Sequence, residues 1–187
     1  SGTGQTANQR PNLVSGQEEG ASFKIGTNGG NVECSSATGS GSLAAASGTM
    51  TLAPSYSGCT AFGFTGSTIA TNGCKYVYHV EGGSNYPMDI TCPAGASIVV
   101  SSSACAISIP AQSGLKSVNY QLLGPSEYDR SKIRIIHTVS GLTYTVTKDS
   151  FGCPLSGLGT YNTGTVGGNT IVEGTAEGHP VNIKIGV

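Results

Sequence analysis

Apolar and polar residues alternate with a period of two in many stretches of this chain from Phe23 onward. The clearest example is the closing segment PVNIKIGV, in which Val181, Ile183, Ile185 and Val187 fall on one side of an extended chain. This alternation is typical of a β-strand with one buried face. Turn residues separate about fourteen such stretches at roughly 10–12 residue spacing, and no stretch has helical periodicity. The pattern therefore predicts an all-β fold, an antiparallel β-sandwich or a barrel-like fold.

The stretch CKYVYHVEGGSNYPMDITC is the strongest local signal. Two alternating runs flank EGGSNY, and Cys74 and Cys92 close the two outer ends. The two cysteines would face each other across a β-hairpin, where side chains are close enough for a disulfide. We expect a stapled hairpin here.

Glycines mark further turns. Ser140 and Gly141 separate two alternating runs and predict a two-residue hairpin. A second pair of strands is expected around the sequence Gly167, Gly168 and Asn169. The Ser/Ala/Gly-rich bridge SSATGSGSLAAASG is read as a loop or as a strand of small residues.

Residues 1–20 have almost no apolar side chains, so we expect a polar N-terminal extension over 1–20 and a single β domain over 21–187. Leu13 and Val14 are the largest apolar residues of the extension and are candidate contact residues. The chain starts at Ser1 rather than Met, which fits removal of a signal peptide or of a tag.

The amino-acid composition bears on two classes of partner, nucleic acids and membranes. Only 10% of the residues are charged, against roughly 25% in typical proteins, and glycine is abundant at 29 residues. The net charge of -1 gives no support for nucleic-acid binding. No apolar run approaches the roughly 18 residues of a membrane-spanning helix, so we expect no transmembrane segment.

Six widely spaced cysteines predict three disulfides and an oxidising compartment, that is, a secreted or cell-surface protein. They are Cys34, Cys59, Cys74, Cys92, Cys105 and Cys153. Six cysteines allow about 15 pairings, and sequence alone does not choose among them. The hairpin favours Cys74 with Cys92, the local spacing favours Cys34 with Cys59, and Cys105 then remains for Cys153.

The residues that could carry chemistry form no catalytic or metal-binding motif. His79, His137 and His179 lie outside any HExxH pattern, and there is no GxSxG elbow and no D-x-D-x-D loop. Glu127, Asp129 and Arg130 share a charged segment that we interpret as a solvated turn. We therefore expect no enzyme activity, no cofactor and no metal site.

Tyr76, Tyr78 and Tyr86 lie in or beside the stapled hairpin. Tyr76 and Tyr78 share one face of a strand. That face either packs on the core, which we favour, or forms an exposed binding strip with Tyr86.

The segments TNGGNVEC, YSGCTAFGF, DITCPAGASI, CAISIPAQSGLKSVNY and EGTAEGHPVNIKIGV together resemble a group of uncharacterised secreted proteins of soil actinobacteria. The resemblance covers most of residues 23–187. It implies export and a β framework with three disulfides, and it carries no catalytic residue.

Two functions follow as hypotheses. The first is a secreted or cell-surface structural or interaction protein, such as a self-assembling fibre subunit whose N-terminal extension contacts a neighbouring copy. The alternative is a monomeric secreted β-sandwich module that binds carbohydrate, such as a polysaccharide, or another ligand.

Overall fold

The computed structural model describes residues 13–20, 23–43, 48–79, 85–123, 132–177, 179–180 and 183. These residues form thirteen β-strands and no helix. The strands in chain order are β1 (Leu13–Glu18), β2 (Lys24–Thr27), β3 (Gly30–Ser42), β4 (Thr49–Ala61), β5 (Phe64–Ala70), β6 (Lys75–His79), β7 (Tyr86–Thr91), β8 (Ile98–Ser101), β9 (Cys105–Ile109), β10 (Gln112–Leu123), β11 (Lys132–Asp149), β12 (Gly159–Ala176) and β13 (His179–Pro180).

The strands close into an antiparallel barrel with eight positions around its axis. β3, β4, β11 and β12 run along its length. Each of the other four positions is shared by two strands placed end to end, namely β1 with β2, β6 with β5, β7 with β8, and β10 with β9. The barrel closes where β1 and β2 pair with β12 on one side and β3 on the other. The all-β, antiparallel prediction is confirmed, in its barrel form.

Two predicted hairpins are wrong. β11 is one strand that runs through Ser140 and Gly141, and β12 is one strand that runs through Gly167, Gly168 and Asn169. At Gly141, whose φ is 80°, the register between β11 and β12 shifts by one residue. Such a β-bulge and a tight hairpin both use glycine and both interrupt the alternation, so the same local pattern serves either structure.

The bulge at Gly141 changes which residues of β11 face inward. Before it, odd-numbered residues such as Ile135 and Val139 are buried, and after it even-numbered residues such as Leu142 and Tyr144 are buried. An eight-stranded barrel has an interior just wide enough to be filled by side chains. The largest fully buried side chains are Tyr144, Ile25, Met88, Ile98, Ile107, Ile109, Ile135, Leu142, Val32, Val100, Val118 and Val139. Each contributes about 1.5–3 kcal/mol through burial.

Three disulfides brace the barrel, and all three match the favoured pairings. Cys34 and Cys59 join directly opposed positions of β3 and β4. Cys74 and Cys92 close the open side of the β6–β7 hairpin. Cys105, at the start of β9, is joined to Cys153 in the loop 150–158. Among the described residues no cysteine is free.

The two ends of the barrel differ. One end, called here the turn end, carries the connections 28–29, 62–63, 102–104 and 150–158. The opposite end, called here the loop end, carries the connections after β3, β6 and β10, and β1 starts there.

Part of the predicted N-terminal extension belongs to the barrel. Leu13–Glu18 form β1, which pairs along its length with β12 and β3. Residues 1–12 lie outside the described residues. A strand that is paired on both sides is held largely by its backbone hydrogen bonds, so it needs few apolar side chains.

Candidate functional site

The structure divides the predicted contact residues into two groups. Val14, Tyr76 and Tyr78 face the barrel interior and are buried, so they cannot form a contact surface. Leu13 is exposed and Tyr86 is half-buried. The favoured interpretation of Tyr76 and Tyr78, as core residues, agrees with this placement.

A pair of tyrosine hydroxyl groups lies inside the barrel. The hydroxyl oxygens of Tyr56, on β4, and Tyr76, on β6, are 2.7 Å apart. Burial raises the pKa of Tyr76 to about 12. Burial also raises the pKa of Tyr56 well above its usual value, with smaller contributions from Tyr76 and Glu18. Both phenols therefore stay protonated over the physiological pH range.

A second polar pair lies nearby. The hydroxyl oxygen of Tyr78 is 3.0 Å from Nε2 of His137, and Nδ1 of His137 is 3.2 Å from the carbonyl oxygen of Gly168. Burial lowers the pKa of His137 to about 4, so the ring is neutral. Nδ1–H then donates to Gly168, and Nε2 accepts from Tyr78.

Both pairs line a cavity of about 30 Å³. Phe23, Met88 and Thr170 complete its wall together with other residues of the core. A cavity of this size has room for one or two water molecules. It is an order of magnitude too small for a drug-sized ligand, whose pockets usually measure roughly 300–1,000 Å³.

A groove of about 570 Å³ follows β1 on the barrel wall. β1 and its neighbours line it, with the polar residues Gln17, Glu19, Thr38, Lys132 and Glu173. The groove lies in the half of the barrel toward the loop end, where β1 runs. Its volume is within the usual range for a binding pocket.

Glu18 is the unusual residue of β1, because its side chain lies on the inward face of the strand, on the side opposite to the groove. Both of its carboxylate oxygens are buried, and neither has a hydrogen-bond partner among the described residues. Burial raises the pKa of Glu18. An unpaired carboxylate shielded from water is costly and is uncommon in native proteins. Glu18 is therefore an unsatisfied carboxyl group on the inner side of β1.

The two carboxylates that face the groove have cationic partners. Glu19 accepts two hydrogen bonds from Arg134, from Nε at 2.7 Å and from Nη2 at 2.6 Å. These hydrogen bonds lower the pKa of Glu19. Glu173 lies 4.0 Å from Nζ of Lys132. Two carboxylates of the groove thus face two cations.

The sequence analysis missed Glu18 because it placed the residue in the extension. The signal is nevertheless present, since Val14, Gly16 and Glu18 follow one another at a spacing of two and share one face of β1. Once residues 13–18 are recognised as a strand, Glu18 becomes a carboxylate on the inward side.

The histidines have separate environments. Nε2 of His79 is 2.8 Å from a carboxylate oxygen of Asp89, whose other oxygen accepts a hydrogen bond from the Gly114 amide. His137 is in the interior, and His179 is in β13. Among the described residues, the hydrogen bonds of the His79 and His137 rings involve no serine hydroxyl. Glu127, Asp129 and Arg130 lie outside the described residues.

The turn end presents apolar side chains to solvent. Phe151 is fully exposed and Leu158 is mostly exposed, and both lie in the loop that Cys153 anchors. Tyr161 fixes the same loop by donating to the carbonyl oxygens of Ser156 and Gly157. None of the four connections at this end contains a charged residue. Lys148 and Asp149 border this end, and the Lys148 ammonium group donates to the carbonyl oxygen of Ser103. Exposed large apolar side chains are typical of protein contact sites.

Within the described ranges, no three His, Cys, Asp or Glu side chains are grouped as metal ligands would be. The same ranges contain no helix of the length and hydrophobicity that membrane crossing requires. Comparison of the chain with protein-family models, with curated proteins and with solved structures finds no match.

Proposed function

We propose that this chain is an extracellular interaction protein, secreted or held at the cell surface, that associates with further copies of itself. Three disulfides support the extracellular location because disulfides persist in oxidising compartments. A closed, filled barrel supports a scaffold role rather than an internal ligand site. The proposal includes no catalytic step.

The observation that carries the proposal is the open groove of about 570 Å³ that follows β1 on the outer wall of the barrel. Residues 1–12 precede Leu13, the first residue of β1, in the sequence. They contain no acidic and no large apolar side chain, so they cannot build a core of their own. Fully extended, twelve residues reach about 40 Å, which is longer than the roughly 17 Å of β1. Such a segment is long enough to occupy the groove of a second copy.

The mode of contact follows from the closed barrel. β1 has hydrogen-bonded neighbours on both sides, so an incoming chain cannot pair with it as an added strand. The extension instead lies in the groove and is held by polar side chains. Because the extension and the groove are different surfaces, each copy binds the next head to tail. A contact of this kind forms a ring or a filament.

The test compares the full chain with a variant in which residues 1–12 are replaced by a Gly/Ser segment of equal length. We expect the full chain to form assemblies visible by negative-stain microscopy and the variant to remain monomeric. The equal length controls for the bulk of the segment. Unchanged assembly in the variant would refute a role for the extension.

A polysaccharide is the second candidate partner, because the groove is lined by hydroxyl, amide and carboxyl groups that suit sugar hydroxyls. The half-exposed Tyr86 and Tyr120, whose rings are 5.0 Å apart, offer an additional stacking surface. Affinity electrophoresis with soluble polysaccharides tests this candidate. It predicts that migration is retarded, and that Gln17→Ala and Tyr86→Ala each reduce the retardation.

A further inference from the structure

We propose that the interior of the barrel is a binding site for ordered water, which connects the carboxyl group of Glu18 to the hydroxyl pair of Tyr56 and Tyr76. The site lies where the inner faces of β1, β3, β4 and β12 meet. It belongs to a single copy of the chain, so the inference does not depend on self-association.

The strand register places Glu18 and Tyr56 on the same inner face. Glu18 pairs with Thr170 of β12. On its other side, the register of β1 with β3, continued by one residue, brings Glu18 level with Ala37, which pairs with Tyr56 of β4. Neighbouring strands are about 4.8 Å apart, so the Cα atoms of Glu18 and Tyr56 are about 10 Å apart, on the two sides of Ala37. Two long polar side chains thus flank a short one, and Glu18 contributes to the raised pKa of Tyr56.

The cavity of about 30 Å³ lies beside this part of the wall. Tyr56, Tyr76 and Thr170 line it. The inner face of β1 borders the same region, because a Cβ atom on Gly16 would lie 3.2 Å from Cγ2 of Thr170 and 3.4 Å from Cδ1 of Leu52. A water molecule needs about 10–15 Å³ of such space, so the cavity holds about one or two.

The hydrogen-bonding groups around the cavity do not satisfy one another. The hydroxyl groups of Tyr56 and Tyr76 carry one proton each, and the bond between them uses one of the two. The second pair, Tyr78 and His137, uses its own protons. Among the described residues, the two carboxyl oxygens of Glu18 have no donor. A phenol proton is therefore left over on one side and acceptors are left over on the other.

Water matches this set because it both accepts and donates hydrogen bonds. One molecule can accept the remaining phenol proton and donate to a Glu18 oxygen, and the Thr170 hydroxyl is a further partner at the same cavity. Buried water typically makes about three hydrogen bonds. An apolar molecule would leave the carboxyl group unsatisfied. A metal ion fits less well, since within the described ranges no three His, Cys, Asp or Glu side chains are grouped.

The experiment counts internal water molecules in the full chain by magnetic relaxation dispersion of the water signal. Glu18→Met removes the hydrogen-bonding atoms at similar size and should lose about one long-lived water molecule. Glu18→Gln keeps those atoms and should retain it. Glu173→Met is the matched control, because it makes the same change at a carboxylate 4.0 Å from Lys132 in the groove. It should leave the dispersion unchanged.

Urea unfolding of the same variants separates hydration from packing. If water satisfies Glu18, Glu18→Gln should unfold at a higher urea concentration than Glu18→Met. If Glu18 is only an unpaired buried carboxyl group, the apolar methionine should be the more stable replacement, and the proposal is refuted. An unchanged count of internal water in a folded Glu18→Met chain also refutes it.

A high-resolution crystal structure of the unmodified chain tests the site without any substitution, and covers the case in which Glu18→Met does not fold. Density for water should lie about 2.7–3.0 Å from a Glu18 oxygen and from one of the two phenol oxygens. A direct hydrogen bond between Glu18 and Tyr56, or a bound cation in place of the water, would overturn the proposal.

Discussion

The hydroxyl group of Tyr78 donates a hydrogen bond to Nε2 of His137 across 3.0 Å in the interior of the barrel. Nδ1 of His137 in turn donates a hydrogen bond to the carbonyl oxygen of Gly168 in β12. The two residues therefore tie β6 to β11 and β12 across a largely apolar core. This arrangement requires a neutral imidazole, because a protonated ring has no acceptor for the Tyr78 hydroxyl.

The buried histidine predicts a loss of stability in acid. The pKa of His137 is lowered from 6.5 to about 4 in the folded chain, so the unfolded chain binds a proton that the folded chain does not over this pH window. The contribution is fully present above pH 6.5 and is lost as the pH falls toward 4. From about pH 7.5 to about pH 4.5 we expect a loss of about 2–3 kcal/mol from this residue.

Urea unfolding at the two pH values measures this loss. His137→Gln should reduce the pH dependence of the unfolding free energy by that amount. His79→Gln is the control, because it makes the same substitution at a half-buried histidine. Equal pH dependence of the unmodified chain and His137→Gln would contradict this prediction.

The hydrogen bond between the Tyr56 and Tyr76 hydroxyl groups predicts that the stability effects of removing each group are strongly non-additive. Tyr56→Phe or Tyr76→Phe alone leaves the other buried hydroxyl without its partner and should cost about 1–2 kcal/mol. The double substitution removes both groups and should cost no more than either single one. A double-mutant cycle by urea unfolding gives the coupling energy. Additive costs would mean that the two hydroxyl groups do not depend on each other.

The close packing around Gly29, at the turn end, predicts that a larger residue at this position destabilises the fold. A Cβ atom at this position would overlap the carbonyl group of Pro154, in the loop that Cys153 anchors. Gly29→Ala should therefore reduce the free energy of unfolding by about 1–3 kcal/mol. Gly167→Ala is the control, since its nearest neighbour, the His137 carbonyl oxygen, is 4.0 Å away. A thermal-unfolding scan that ranks the two variants equally would contradict the close contact.

The exposure of Phe151 predicts that its side chain is dispensable for folding. Because its side chain is fully exposed, Phe151→Ser should change the free energy of unfolding by less than about 0.5 kcal/mol. The buried Leu155 of the same loop is the comparison, and Leu155→Ala should cost about 2–4 kcal/mol. Retention on a hydrophobic-interaction column should fall for Phe151→Ser. A destabilisation as large as that of Leu155→Ala would show that Phe151 packs against the barrel in solution.

The fold class and the disulfides were predictable because they depend on patterns that are local in sequence. The alternation before Cys92 and after Cys74 places the two cysteines opposite each other. With the local pair Cys34 and Cys59, the third bridge follows from the remaining residues. The length of β11 was not predictable, because the glycine of a bulge at Gly141 looks like the glycine of a hairpin.

The candidate site was harder to predict for a physical reason. Sequence patterns locate strands by their apolar side chains, and β1 has few of them because it is held by backbone hydrogen bonds to β3 and β12. An inward carboxylate such as Glu18 breaks the alternation on which the prediction relies. Its lack of a partner is a property of three-dimensional packing and is visible only once β1 is placed in the barrel.

The most direct test of the central claim, self-association, is the molar mass of the unmodified chain as a function of concentration. Light scattering should give values that rise above the monomer mass of 18.7 kDa and keep rising with concentration, as expected for head-to-tail addition. A mass that remains at 18.7 kDa up to about 1 mM, where even an association of about −4 kcal/mol would be visible, would contradict the account.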